Sequence, residues 1–339
     1  MVTITNSSIA LLLCALCCVC WGSWGNSQKL VSSEKWTFEL FYWDFTWGHI
    51  IMALIGAILF GCLGSGEHTV LVDLQRMDVS SMGWAILGGI VWNFGNIFFT
   101  AALAVAGMAI GFPIGGGIGW IGGILFNYVL IILAGQSYPG SELLLWTGIC
   151  FAILAIISCG MVYMKISTSN AKTPTKGIVM AAISGIGFAF FYGLIVKSLD
   201  PAIVSGGTGS LAPSTGALCF SVGVLISSPI FNGIAMKKAG LTFGDYRRLG
   251  NTRTHLVGML GGVIWMTGMV LSQLGNTCSD LNAAISYALS NASPLVAMIW
   301  GIFVWREFKN APRETNWLII AMFLFFALAL SLITISNKS

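Results

Sequence analysis

Three polar side chains stand on one face of a strongly apolar stretch: Asn93, Asn96 and Thr100, spaced i, i+3 and i+7. On a helix that spacing stacks them in a single stripe. Amides and hydroxyls offer both donors and acceptors, so the stripe suits hydrogen bonding to a hydroxylated or amide-bearing solute. Polar and aromatic residues punctuate other apolar stretches in the same way: Trp120 and Asn127, then Tyr192, then Trp265, Ser272 and Gln273, then Tyr287, Ser290 and Asn291 ahead of Pro294. Aromatic faces pack on the apolar face of a sugar or on a planar ring. A neutral polar solute fits such a lining. For any one of these residues the other reading is a hydrogen bond between helices.

Charged residues give a complementary reading, because Asp44, Glu67, Asp73, Glu142, Asp200, Asp280, Glu307 and Glu314 all fall at the ends of apolar stretches or between them. No carboxylate is expected at membrane mid-depth. Asp44 and His49, at the mouth of the second stretch, come nearest to a coupling site for a proton or sodium ion, and whether such an ion takes part stays open. Trp24 and Lys29 near the end of the first stretch, and Lys197 at the end of the sixth, are gating or substrate-contact residues, the alternative for each lysine being that it snorkels to the interface. The histidines His49, His68 and His255 lie far apart with no metal-ligand or nucleophile motif beside them. An enzyme is therefore not expected, and no catalytic residue, metal or cofactor is assigned. Cys14, Cys17, Cys18 and Cys20 share one apolar stretch and read as small packing residues rather than as disulfides or metal ligands.

The elements that must position these groups follow from composition. The 339 residues are 56% hydrophobic and 8% charged, against about 25% charged in an ordinary soluble domain, and mean hydropathy is +0.87. A soluble globular protein is excluded. A spanning helix takes about 20 apolar residues, and hydropathy marks ten spans, near 7–28, 43–63, 82–105, 108–132, 143–164, 177–196, 212–235, 256–274, 283–304 and 316–336. The formal charge of +4 is too small and too scattered for a nucleic-acid surface. The first span has no basic residues before it and reads as retained rather than as a cleaved signal.

Lysine and arginine set the orientation, since cytoplasmic loops are enriched in them. One set of loops holds Lys29, Lys35, Lys165, Lys172, Lys176, Lys237, Lys238, Arg247, Arg248, Arg253, Arg306, Lys309 and Arg313, and the other holds Arg76, Lys197 and Lys338. Both termini are predicted outside the cytoplasm, in a multi-pass protein of the plasma or inner membrane.

A polar linker over 165–176 divides the chain into halves, 1–164 and 177–339, of five predicted spans each. "GGIVWNFG" at 88–95 pairs with "GGVIWMTG" at 261–268, which sets Gly88, Gly89, Trp92 and Gly95 opposite Gly261, Gly262, Trp265 and Gly268. "WGNSQK" at 24–29 also pairs with "YGLIVK" at 192–197. An odd number of spans per half inverts the second copy, giving an all-α integral membrane protein of ten transmembrane helices in two inverted five-helix repeats. Inverted repeats are a transporter signature, with the solute near the midplane between the copies. The fourth span carries Gly111, Gly115, Gly119 and Gly123 at spacing four, a stripe for close helix packing, while Gly116, Gly117, Gly122 and Pro113 make the same span easy to bend.

"GGIVWNFGN" at 88–96, "GMAIGFPIGGGIGWIGG" at 107–123 and "WREFKNAPRE" at 305–314 carry a resemblance to the drug/metabolite transporter superfamily. Within it the chain resembles the cluster of glucose uptake proteins, the rhamnose transporter and ureide permeases, over nearly its full length. The resemblance implies ten helices in two inverted halves and a cavity formed by the third, fourth, eighth and ninth spans with help from the first and sixth. On matching positions it points to Asn93, Asn96 and Trp120. The glycine run of the fourth span departs from the Ser, Asn and Gln that the glucose uptake group places after its proline, and the long central loop of plant ureide permeases is absent from 165–176.

The function expected is a secondary transporter that moves a small polar organic solute, a sugar first, by alternating access across the lipid bilayer. Its alternatives are an exporter of drugs or amphipathic metabolites, a ureide or nucleobase permease, and a membrane receptor without transport.

Overall fold

The computed structural model describes residues 2–62, 69–76, 78–133, 137–138, 140–167, 174–204, 207–278, 286, 289–309 and 311–336. Its helices are α1 Ser7–Ser23, α2 Gly25–Val31, α3 Phe38–Gly56, α4 Val70–Arg76, α5 Val79–Ala106, α6 Met108–Gly111, α7 Gly117–Leu133, α8 Glu142–Ser167, α9 Pro174–Ser198, α10 Pro213–Lys238, α11 Phe243–Leu249, α12 Thr252–Gly275, α13 Ser293–Ile299 and α14 Asn316–Ser336. Nine helical segments among the described residues are long and apolar enough to cross a membrane. Within the ninth predicted span, only Ser293–Val304 is described as an apolar helix, and it is shorter than the others. The chain is an all-helical, multi-pass membrane protein.

Capping fixes where these helices begin. Asn6 Oδ1 accepts from the backbone N–H of Ser8 and Ile9 at α1, Asp78 Oδ1 does the same for Ser80 and Ser81 at α5, and Asn251 Oδ1 accepts from Thr254 N at α12. Pro213 opens α10, where a missing N–H costs nothing. Hydrogen bonds from Ser210 and Ser81 hold the Asp78 carboxyl below its ordinary range, as an N-cap that stays ionised requires. Gly107 separates α5 from α6 with φ +79°, a left-handed conformation that favours glycine.

Close glycine contacts then bring the long helices together. A Cβ on Gly89 of α5 would lie 2.0 Å from Phe220 O, and one on Gly223 of α10 would lie 2.1 Å from Ile86 O, so these helices cross backbone to backbone. The same holds for α3 and α12, where a Cβ on Gly48 would lie 1.8 Å from Met259 O and one on Gly262 would lie 1.9 Å from Phe45 O. Van der Waals contact between small residues drives such association in lipid. In the fourth span Gly115 and Gly119 approach Ser184 and Phe188 of α9, the packing role expected of the stripe, while a π-helical turn at Phe112–Gly116 interrupts the same helix. Both sequence readings of this span hold. Helices α8 and α14 pair at the periphery through Gly148 and Ile333, and the main aromatic core sits among α1, α3, α5, α10 and α12.

Candidate functional site

Position along the helices decides which polar groups meet. One turn beyond the Gly89–Gly223 contact, α5 presents Asn93 and α10 presents Ser227, and the amide Nδ2 of Asn93 donates to Ser227 Oγ at 2.8 Å. Tyr42 of α3 completes the cluster, its hydroxyl donating to Asn93 Oδ1 at 2.6 Å and accepting from Asn96 Nδ2 at 3.2 Å. Asn93, Asn96 and Thr100 are all fully buried. Thr100 turns its hydroxyl back to Asn96 O at 2.7 Å, and its own carbonyl accepts from Gln28 Nε2 at 2.8 Å.

Asn96 lies on the wall of a chamber, a cavity of about 60 Å³ lined by residues from both parts of the chain. Aromatic rings make most of that wall, Trp21, Trp24, Trp92, Trp120 and Trp265 with Phe99, Phe112, Phe188 and Phe191, and Asn291 and Ser293 complete it beside Gly116 and Gly119. Trp92 and Trp265 meet with ring centroids 4.1 Å apart. Trp21 stacks on Trp265 at 5.6 Å and donates its indole N–H to the Trp265 carbonyl at 3.0 Å. Two polar atoms on the wall have no hydrogen-bond partner among the described residues, Asn96 Oδ1 and Trp120 Nε1. Buried groups of that kind cost about 1–3 kcal/mol each.

Of the residues singled out in the sequence, Asn96, Trp120, Trp265, Asn291 and Trp24 line the chamber. Asn93 supports it from behind. Gln273 does not reach it: its side chain lines a separate small cavity with Ala53, Gly56, Ala57, Pro213 and Ser214, and both amide atoms lack partners among the described residues. Tyr192 accepts from Asn276 Nδ2 at 3.2 Å. Tyr287 and the side chain of Asn127 lie outside the described residues.

The two residues expected at the mouth of the second span are both buried. His49 is fully buried among Trp92, Trp265, Phe220 and Phe45, and neither ring nitrogen has a partner among the described residues. Its apolar surroundings follow from α3 pressing on α12 through Gly48 and Gly262. Asp44 is also fully buried, its Oδ1 accepting from the Tyr246 hydroxyl and lying 2.8 Å from His255 Nδ1. Burial and the nearby carboxylate push the Tyr246 phenol up from its ordinary value, so it stays a proton donor. Gly258 leaves the room Asp44 occupies, since a Cβ there would lie 2.6 Å from Asp44 Cβ.

The lysines diverge. Lys29 reaches Glu307 as an ion pair and lies 5.1 Å from the Trp305 ring centroid. Glu307 also accepts from Met108 N at 3.0 Å and Ala109 N at 2.7 Å, so one carboxylate ties the first span to the start of the fourth and the end of the ninth. Gly107 and Gly301 clear the space for it. Lys197 instead lies 3.8 Å from the centroid of the Trp84 ring.

Sequence reasoning missed Tyr42, Glu307 and His255 as site residues. Tyr42, Thr46 and His49 stand at i, i+4 and i+7, a polar face on an aromatic helix that the stripe argument could have found. Glu307 and His255 gave no local signal, because their partners lie 278 and 211 residues away.

Comparison with known proteins places this geometry. A family model for sugar transport proteins matches residues 46–335. Ureide permease 1 of Arabidopsis thaliana is 24% identical over 355 aligned positions, covering 87% of this chain and 88% of its own. Ureide permease 2 of the same plant is 22% identical over 361 positions, covering 87% and 89%. A solved crystal structure of a protein overlays on 98% of this chain and 99% of its own with a TM-score of 0.53 at 15% identity, a likeness of fold alone.

Proposed function

Because the chain belongs to the sugar transport protein family, and is thereby a multi-pass, non-enzymatic membrane transporter of small solutes, we propose that it works by alternating access around the aromatic chamber. The observation that carries this reading is the chamber itself, walled by rings from both halves, with one buried acceptor and one buried donor on its wall residues that have no partner among the described residues. A sugar is the first substrate class, since its ring has an apolar face for the indoles and hydroxyls for Asn96 and Trp120. A ring ureide is the second. Nine aromatic side chains in the wall favour a planar heterocycle, and the ureide permeases resemble this chain.

The reading includes ten spans in two inverted halves, 1–164 and 177–339, joined by a cytoplasmic linker over 165–176. Contacts between the halves support it. Gly89 meets α10 as Gly262 meets α3, and the matched pair Trp92 and Trp265 touch each other, as residues beside a pseudo-two-fold axis do. The lysine and arginine distribution puts both termini outside and the protein in the plasma or inner membrane. In that orientation the Lys29–Glu307 contact closes the cytoplasmic end and must break for the chamber to open there. Asp44 and His49 remain the nearest groups to a coupling ion, a proton or sodium.

Flux of radiolabelled D-glucose and allantoin into proteoliposomes tests the function. Saturable uptake of either, reduced at least tenfold by Asn96→Leu, is the expected result. A purified, folded protein that moves neither would remove both substrate classes.

A further inference from the structure

The hydrogen bonds around Tyr42 have a direction, and that direction decides what the chamber presents. Ser227 Oγ donates to Gly223 O at 2.7 Å and Ser228 Oγ donates to Val224 O at 2.8 Å, each to a carbonyl one turn back in α10. A hydroxyl has one proton to give. With those protons committed, both serine oxygens can only accept from Asn93. Asn93 therefore faces them with its nitrogen, at 2.8 Å from Ser227 Oγ and 3.2 Å from Ser228 Oγ, and the same nitrogen donates to Val224 O at 3.2 Å. Its oxygen is left toward Tyr42.

That oxygen needs a proton, and Tyr42 supplies its only one at 2.6 Å. The phenol oxygen can then only accept, so the neighbour at 3.2 Å must be the nitrogen of Asn96 rather than its oxygen. An amide's two ends are nearly equal in shape, and only the hydrogen-bond network orients them. Asn96, a residue of the chamber wall, thus keeps its carbonyl oxygen clear of Tyr42, buried and without a partner among the described residues.

We propose that Tyr42 is the specificity-determining positioning residue: by holding the Asn96 nitrogen it makes the chamber read for a solute N–H or O–H donor at that point. Trp120 Nε1 asks for an acceptor elsewhere on the wall. The class selected carries at least one donor and one acceptor, and its fully methylated members, which keep their acceptors and lose every donor, are refused. The inference rests on the chamber being the solute site. Tyr42 acts through Asn96 and touches no solute.

The test uses the full chain in detergent and two probe pairs, hydantoin with 1,3-dimethylhydantoin, and D-glucose with its pentamethyl derivative, bound by thermal shift. Sites built to hydrogen-bond a donor reject analogues lacking it by large factors. The wild type is expected to favour an unmethylated member by about 100-fold or more. In Tyr42→Phe the Asn96 amide is free to turn, and the ratio is expected to fall below about 10-fold, with the methylated member binding more tightly than it does to the wild type. Mere damage to the site would weaken both members and leave the ratio alone, and an unchanged ratio overturns the proposal.

A second readout needs no solute. In protein labelled with 15N-asparagine, Tyr42→Phe is expected to shift the side-chain amide signal assigned by loss in Asn96→Leu. An unmoved Asn96 signal overturns the proposal even if no probe binds. Absence of binding by all four probes, with the Asn96 signal shifting as expected, counts against the solute classes alone.

Discussion

Helices α3 and α10 run side by side and are finished differently at their two ends. Toward one end, with α5, the seam is filled by Tyr42, Asn93, Ser227 and Ser228, with Thr46 beside them, whose polar groups find partners in one another or in the helix backbone. Toward the other end, with α12, the seam holds a small cavity lined by Ala53, Gly56, Ala57, Ser214 and Ala217 and the Gln273 amide with no partner among the described residues. The difference teaches where this helix pair is rigid. A satisfied network in low dielectric fixes one arrangement, whereas a buried amide without a partner adds a cost to the fold.

The largest test of the contrast removes the filled end altogether. Gly89→Val drives a side chain into Phe220 O, where even a Cβ would stand at 2.0 Å, and is expected to cost about 3 kcal/mol and abolish a cooperative melt in detergent. Asn93→Leu leaves the helices in place but strands the Tyr42 hydroxyl, for an expected loss of about 2 kcal/mol in thermal unfolding. Gln273→Leu should move the other way. With nothing to unpair, its expected effect is a gain of about 1 kcal/mol, read as a higher melting temperature, and a destabilised variant would break the comparison. Thr46→Val, which removes a hydroxyl bonded mainly to its own helix at Tyr42 O, should cost about 0.5 kcal/mol, and a larger loss would place Thr46 in the network rather than beside it.

Much of the site was legible before any coordinates. The stripe Asn93, Asn96 and Thr100 marked a buried polar face because hydrocarbon tolerates such groups only where they are used, and Trp120, Trp265 and Asn291 followed from the same cost. Gln273 satisfied that argument equally and still lies in another cavity, since burial cost says that a polar group has a purpose but not which space it faces. His49 and Asp44 were read from their distance to a span edge. Their burial came from Gly48, Gly258 and Gly262, which let α12 approach α3 closely enough to cover both.

The sequence by itself determined the solvent this protein folds in, the placement of its long apolar segments and the glycine stripe of the fourth span, because those depend on transfer free energy and side-chain size, which are local properties of each residue. Only the tertiary structure decided that Tyr42 stands between two asparagines, that Glu307 reaches Lys29 across 278 residues of chain, and which oxygen is left to face the chamber. Hydrogen bonds join a donor to one acceptor at one distance and angle. No pattern along a chain carries that geometry until the helices have met.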